Sequence, residues 1–216
     1  HIIEEPMAAA IGMRLPVREP IGSMVIDIGG GTTDIASISL GGIVASKNLR
    51  IAGDKLSQDI AGYIRGEFKI LIGDKTAENI KTSIGEILSV GAPLECSVKG
   101  RDLVSGLPRE VIITDSDVRE AISQSVGAII ESAKEVLGVT PPEILSDIMQ
   151  RGIFFCGGGA LIGGLSQLIA EELHIPVHVY PDPMTAVVRG CGIILENLDN
   201  FKDLLIIEDN DIPPQT

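Results

Sequence analysis

Ser23-Met24-Val25-Ile26-Asp27-Ile28-Gly29-Gly30-Gly31-Thr32-Thr33-Asp34 is the stretch on which the reading of this 216-residue chain turns. A run of buried-strand composition carries one carboxylate, Asp27, at its end. Three glycines then turn the chain, and two hydroxyls open the next strand. Glycines let backbone N–H groups come close to phosphate oxygens. Threonine hydroxyls can add hydrogen bonds, and Asp27 can hold Mg²⁺ through water. A bare glycine run would read as a plain hairpin. Asp27 before it and Thr32-Thr33-Asp34 after it, at strand edges, point instead to phosphate binding. It is not a Walker A loop, because no Gly-Lys-Ser/Thr follows.

Working outward, Thr33 to Leu40 reads as a second strand, Gly41-Gly42 as a hairpin turn and Ile43 to Ile51 as a third strand. Upstream, Glu4-Glu5-Pro6 starts a helix, with proline at its first position and acid before it. Downstream, Asp54 is expected to cap a helix carrying Leu56, Ile60, Ile64 and Phe68, and Thr76 another carrying Ala77, Ile80, Ile84 and Leu88. Short strands are expected at 95–98 and 111–114, then a long helix at 116–137. A turn falls at Pro141-Pro142, with a further helical stretch at 143–149. A strand at 153–156 runs into Gly157-Gly158-Gly159, followed by a helix at 161–173, a strand at 177–180 and a helix at 183–195 capped by Asp182. The tail, Glu208 to Pro214, is acidic, proline-rich and expected to be loose. The order β-β-β-α, insertion, α-β-α-β-α predicts an α/β fold. Its mixed five-stranded sheet is a meander over 23–51 extended by two parallel strands and covered by helices. The insertion, 55–115, should form a small α+β lobe of its own.

A second glycine run, Gly157-Gly158-Gly159-Ala160, lies between a strand and a helix. Alone it is an ordinary strand-to-helix turn, but paired with the first run it reads as the second jaw of a nucleotide cleft. Glu78 and Lys81 are i, i+3 on one helix, and Gly85 is one further turn along the same flank. A charged pair beside a glycine gap can hydrogen-bond ribose and admit a flat base; the residues alone favour an ordinary exposed ion pair. His174 and His178 have Pro176 between them, so they should not share a helical face, and no metal site is assigned to them.

The chain carries 17 Lys+Arg against 30 Asp+Glu, a formal net charge of −13, which disfavours nucleic acid as partner. Hydrophobic residues make up 44%, so wholesale disorder is excluded. No apolar run reaches the ~18 residues of a membrane span. Three scattered cysteines suit a reducing cytosol rather than a disulfide scaffold. The chain opens on His1 rather than Met, and is expected to belong to something longer.

Six stretches, Glu4–Gly12, Gly22–Asp34, Thr76–Gly85, Gly100–Pro108, Arg151–Ile162 and Asp182–Val187, resemble the bacterial actin family MreB in that order and spacing. The match runs from Ile2 to about Leu195. The resemblance implies a ribonuclease H-like, actin-type nucleotide-binding fold, with ATP or ADP and Mg²⁺ as cofactors. It implies filaments built from copies of the protein, ATP hydrolysis coupled to assembly and a part in cell shape. Membrane-associated cell-wall synthesis machinery is the implied partner, and the place is the cytoplasm, at the inner face of the membrane. No direct membrane segment is expected in this chain.

By the same resemblance, residues 1–20 are the helix and linker from another domain. Residues 21–54 and 116–182 are the nucleotide-binding subdomain IIA, 55–115 the inserted subdomain IIB, 183–200 a returning helix and 201–216 a tail. The family's first phosphate loop, an Asp-x-Gly-Thr hairpin, has no counterpart here, so this chain alone is expected to lack activity. Glu5 matches the acidic residue that positions or activates the attacking water, and Thr32 the hydroxyl that helps to hold it. Without the resemblance, Glu5 would read as a charge satisfying the helix dipole. Asp27, from its own place at the strand end, is the candidate Mg²⁺ partner, acting through water. Gly29, Gly30, Gly31, Thr32, Glu78, Lys81, Gly85, Gly157, Gly158, Gly159 and Ala160 complete the implied nucleotide site. A DnaK-type chaperone ATPase, a sugar kinase of the same superfamily, and a non-catalytic folding unit are the alternatives. The helices at 6–14 and 183–195 are expected to expose apolar faces.

Overall fold

The computed structural model describes residues 1–88 and 91–206. In chain order the elements are α1 (Glu5–Gly12), β1 (Ser23–Ile28), β2 (Thr33–Ser39), β3 (Gly42–Leu49), α2 (Gly53–Glu67), β4 (Ile70–Leu71), α3 (Asp74–Ile84), β5 (Glu95–Asp102), β6 (Pro108–Thr114), α4 (Asp115–Val139), α5 (Pro142–Arg151), β7 (Ile153–Cys156), α6 (Leu165–Leu173), β8 (Val177–Val179), α7 (Ala186–Glu196) and α8 (Leu198–Phe201). The five-stranded sheet has the order β3-β2-β1-β7-β8. β1 pairs antiparallel with β2 and parallel with β7, and β8 continues parallel beside β7. This is the expected meander with two parallel additions.

β1 is buried on both faces, as the central strand of a covered sheet must be. Met24, Ile26 and Ile28 join Ile35 and Phe155 in one core with α2, α4 and α6. Val25, Ala36, Ile38 and Cys156 join a second core with α1 and α7. Alternation along the strand puts Asp27 on this second face, beside its register partner Cys156. α1 and α7 cross where both are glycine. A Cβ on Gly12 would stand 1.9 Å from the Ala186 carbonyl oxygen, and one on Gly190 would stand 1.8 Å from that of Ala8.

The segment between β3 and α4 carries a second sheet, β4-β5-β6. Its apolar residues Ile70, Val98 and Ile113 belong to the same cluster as Met24 and Ile26, so the insertion has its own sheet and a shared core. α4 starts with a capping box that the sequence reading missed: the Thr114 hydroxyl accepts from the Asp117 N–H, and the Thr114 N–H donates to the Asp117 carboxylate.

Several local expectations are corrected. Asp54 and Thr76 lie inside the first turns of α2 and α3; Ala52 and Gly73 hold the cap positions, with no side-chain bond. β5 and β6 are longer than expected, because they zip together from Glu95↔Thr114 down to Arg101↔Pro108. The helix expected at 161–173 is broken: a 3₁₀ turn spans Gly158–Leu161, and α6 begins only after Gly164, whose φ of 73° interrupts helical geometry. Asp182 precedes a 3₁₀ turn, Pro183–Thr185, rather than α7 itself. The expected apolar face of the first helix is not exposed, since Pro6–Gly12 are all buried between the sheet and α7. In the 3₁₀ turn Met184, and on α7 Val188 and Leu195, do stand exposed. Of the tail, residues 201–206 return to the chain start, where the Ile206 N–H donates to the Ile2 carbonyl at 2.9 Å. The acidic stretch from Glu208 lies outside the described residues. Among the described residues no helix is long and apolar enough to cross a membrane.

Candidate functional site

Because β1 and β7 are neighbouring parallel strands, the turns that leave their C-terminal ends open on the same edge of the sheet. Both turns are glycine runs, and both border one cavity of about 630 Å³. Gly29 and Gly30 form one margin and Gly157, Gly158 and Gly159 another. Gly53 and Asp54, at the start of α2, and Glu78, Lys81, Thr82 and Gly85, on or just past α3, form a third. Glu5 and Asp27 approach from the α1 side, and Leu161, Ile162, Pro183, Met184 and Val187 supply an apolar rim.

The loops are tied to each other before any ligand arrives. The N–H groups of Gly53 and Asp54 donate to the carbonyls of Gly29 and Gly30 at 3.1 and 2.8 Å, docking α2 on the first glycine turn. Gly157 has a φ of 79°, and a Cβ there would meet Asp27 Oδ1 at 2.3 Å, so no other residue fits. Gly158 meets nothing within 4 Å and leaves bare backbone toward the cavity.

Of the sequence-predicted residues, Glu5, Asp27, Gly29, Gly30, Glu78, Lys81, Gly85, Gly157, Gly158 and Gly159 line the cavity, and Gly31, Thr32 and Ala160 lie off its wall. Gly31 is exposed, and Ala160 is buried in the 3₁₀ turn. Thr32 is half-buried, and its carbonyl closes the turn by accepting from Gly29 N–H at 2.9 Å. Thr33, the second hydroxyl of the motif, turns away and donates to the Ile51 carbonyl at 2.7 Å. The reading of Glu78 and Lys81 as an ordinary exposed pair does not hold. The Lys81 side chain is only 8% exposed, its ammonium 2.6 Å from Glu78 Oε2. It also donates to the Gly53 carbonyl at 2.8 Å. His174 ends α6 with a φ of 55°, and His178 lies on β8 against the Phe154 ring, away from the cavity.

The residues missed were Gly53, Asp54, Thr82, Leu161, Ile162, Pro183, Met184 and Val187. Thr82, Leu161, Ile162, Pro183, Met184 and Val187 fall within the quoted stretches and were legible as part of them. Asp54 was read only as a helix cap, and Gly53 carried no signal of its own.

Charge is unevenly distributed in the cavity. Burial, reinforced by the negative charges of Glu5 and Asp34, pushes Asp27 up to about 6, against a hydrogen bond from the Cys156 thiol that pulls the other way. Burial, then the charge of Asp34, also raises Glu5. Burial works against ionised Glu78, but hydrogen bonds from Lys81 and Ser57 hold it below the usual glutamate range. The α1 side is thus a carboxylate pair in want of a counter-charge, and the α3 side is already neutralised.

A family model for the MreB/Mbl protein matches residues 1–203. The chain belongs to the MreB/Mbl family. Family likeness therefore extends past Leu195, where the sequence reading ended it, through α8. The cell shape-determining protein Mbl of Bacillus subtilis is 49% identical over 201 residues, covering 93% of this chain and 60% of that protein. Crystal structures of MreB5 of Spiroplasma citri, one bound to ADP and one to AMPPNP, are 38% identical, with a TM-score of 0.88 over 93% of this chain. A cryo-EM structure of the MamK filament is 25% identical, with a TM-score of 0.74 over 94% of this chain. The chain spans about 60% of the length of these relatives.

Proposed function

We propose that this chain is the nucleotide-binding part of a bacterial actin-type cytoskeletal protein that polymerises and helps to determine cell shape, ATP hydrolysis being coupled to assembly. The observation that carries the reading is the convergence of two glycine turns, Asp27 and the Glu78–Lys81 pair on one cavity. The chain also matches relatives solved with ADP and AMPPNP. The cavity volume lies within the range of small-molecule sites.

In this reading, the backbone of Gly29–Gly30 and Gly157–Gly159 faces the phosphates and the base side. Glu78 accepts from ribose hydroxyls, and Gly85 leaves room for the base. Glu5, which lines the cavity, positions the attacking water and accepts its proton; a raised pKa suits that acceptor. Asp27 would hold Mg²⁺ through water. The residues present fit the ion: one carboxylate plus substrate phosphates is a normal Mg²⁺ arrangement, and the Glu5–Asp27 repulsion favours a cation beside them. Mg²⁺ supplies charge neutralisation at the phosphates when bound. Residues 21–54 and 116–182 serve as subdomain IIA, and 55–115 as subdomain IIB.

Head-to-tail stacking of copies would make an open filament, at the inner face of the membrane with cell-wall synthesis machinery as partner. Gly158→Leu tests the cavity directly, since its new side chain meets no protein atom at Cβ and enters the ligand space. At least tenfold weaker ATP binding in titration calorimetry, with an unchanged melting temperature, is the expected result. Unchanged affinity would remove the cavity from the account.

A further inference from the structure

Ser57 sits one turn into α2, 7% exposed, and belongs to no motif. Its hydroxyl lies 2.7 Å from Glu78 Oε2 and 3.1 Å from the Gly53 carbonyl. It has one proton, and the charged acceptor at the shorter distance takes it. The Gly53 carbonyl is already served by Lys81 at 2.8 Å. Lys81 also reaches Glu78 Oε2, at 2.6 Å. Two buried donors on two different helices therefore converge on a single oxygen of Glu78, whose own side chain is 47% exposed and lines the cavity. Among the described residues, Glu78 Oε1 has no hydrogen-bond donor.

We infer that Ser57 is a positioning residue for ribose recognition: by holding Oε2 of Glu78 from behind, it presents Oε1 to the hydroxyls of a ribonucleotide. This rests on the reading of Glu78 as the ribose acceptor. The geometry explains why two donors are used. Lys81 alone would leave the carboxylate free to rotate about its last torsion, which is broad and roughly two-fold for glutamate. A second donor from another direction removes that freedom. The same bond links α2 to α3, so the ribose acceptor is aligned with the helix that docks on the first glycine turn.

The test compares ATP with 2′,3′-dideoxy-ATP, which lacks both ribose hydroxyls, by titration calorimetry on the full chain. Ser57→Ala should weaken ATP about five-fold, the effect of one net hydrogen bond, and leave the dideoxy analogue unchanged. Ser57→Thr, which keeps the hydroxyl, should preserve the wild-type ratio. A merely structural role would weaken both nucleotides together and would overturn the proposal. Glu78→Ala separates the two levels of the argument. If it collapses the ATP-to-dideoxy ratio and Ser57→Ala does not, Ser57 has no positioning role and the ribose reading stands. If Glu78→Ala leaves the ratio intact, the ribose reading itself falls.

Discussion

At the scale of single residues, the cavity is built on opposed electrostatic arrangements. Asp27 is 4% exposed and titrates near 6, for the reasons of burial and like charge given above. A carboxyl whose folded pKa exceeds its unfolded value of 3.8 binds its proton more tightly when folded. Its stabilising contribution is complete below the unfolded pKa and is lost as pH rises through the folded one. Between pH 4 and 7 the wild type should therefore lose up to about 3 kcal/mol relative to Asp27→Asn, a shift of roughly two pKa units. Denaturant melts of both proteins across that range measure the difference, and parallel curves would contradict it. Glu78 and Lys81 should separate in the same kind of experiment. Each Ala variant should weaken ATP by about 1–2 kcal/mol, as lost charge-assisted hydrogen bonds. Lys81→Ala should also destabilise the fold by about 1–3 kcal/mol, because the Gly53 carbonyl loses its cation. Calorimetry reads the first effect and thermal melting the second.

At the scale of elements, the closest packing is the α1–α7 crossing. Two small helices covering one face of a sheet approach to backbone contact only where neither has a Cβ. Gly190→Ala should cost more than about 3 kcal/mol, since the new methyl would stand 1.8 Å from a carbonyl oxygen and the helices must separate. Gly192→Ala, on the same helix with nothing within 4 Å, should be neutral or stabilising by up to about 1 kcal/mol through helix propensity. Melting temperatures of the pair decide the matter, and equal shifts would show that the crossing is not limited by these glycines. Both glycines were visible in the sequence, but nothing local distinguished Gly190 from Gly192.

At the scale of the molecule, two glycine turns, a carboxylate pair and the Glu78–Lys81 pair border one cavity. Electrostatic preorganisation depends on excluding water and fixing donors around the transferring phosphoryl group. The expectation is that this 216-residue chain, assayed alone with ATP and Mg²⁺, releases almost no phosphate. Phosphate release abolished by Glu5→Ala would contradict that expectation.

What the sequence determined by itself was whatever depends on local chemistry. The alternation and glycine spacing of 23–51 set the meander, the strand at 153–156 ending in glycines set the second turn, and ten of the implied site residues do line the cavity. The tertiary structure alone decided how deep each group lies and which neighbour claims it. Lys81 is buried because a carbonyl 28 residues away accepts a hydrogen bond from its ammonium. Thr33 left the phosphate motif because Ile51 offered a carbonyl across the sheet edge. α1 lost its expected exposed face to α7, and Leu161, Ile162, Met184 and Val187 came together as a rim from two separate turns and the start of α7. Periodicity reports which face of an element is apolar, whereas a contact between distant segments depends on the three-dimensional path between them and leaves no local pattern to read.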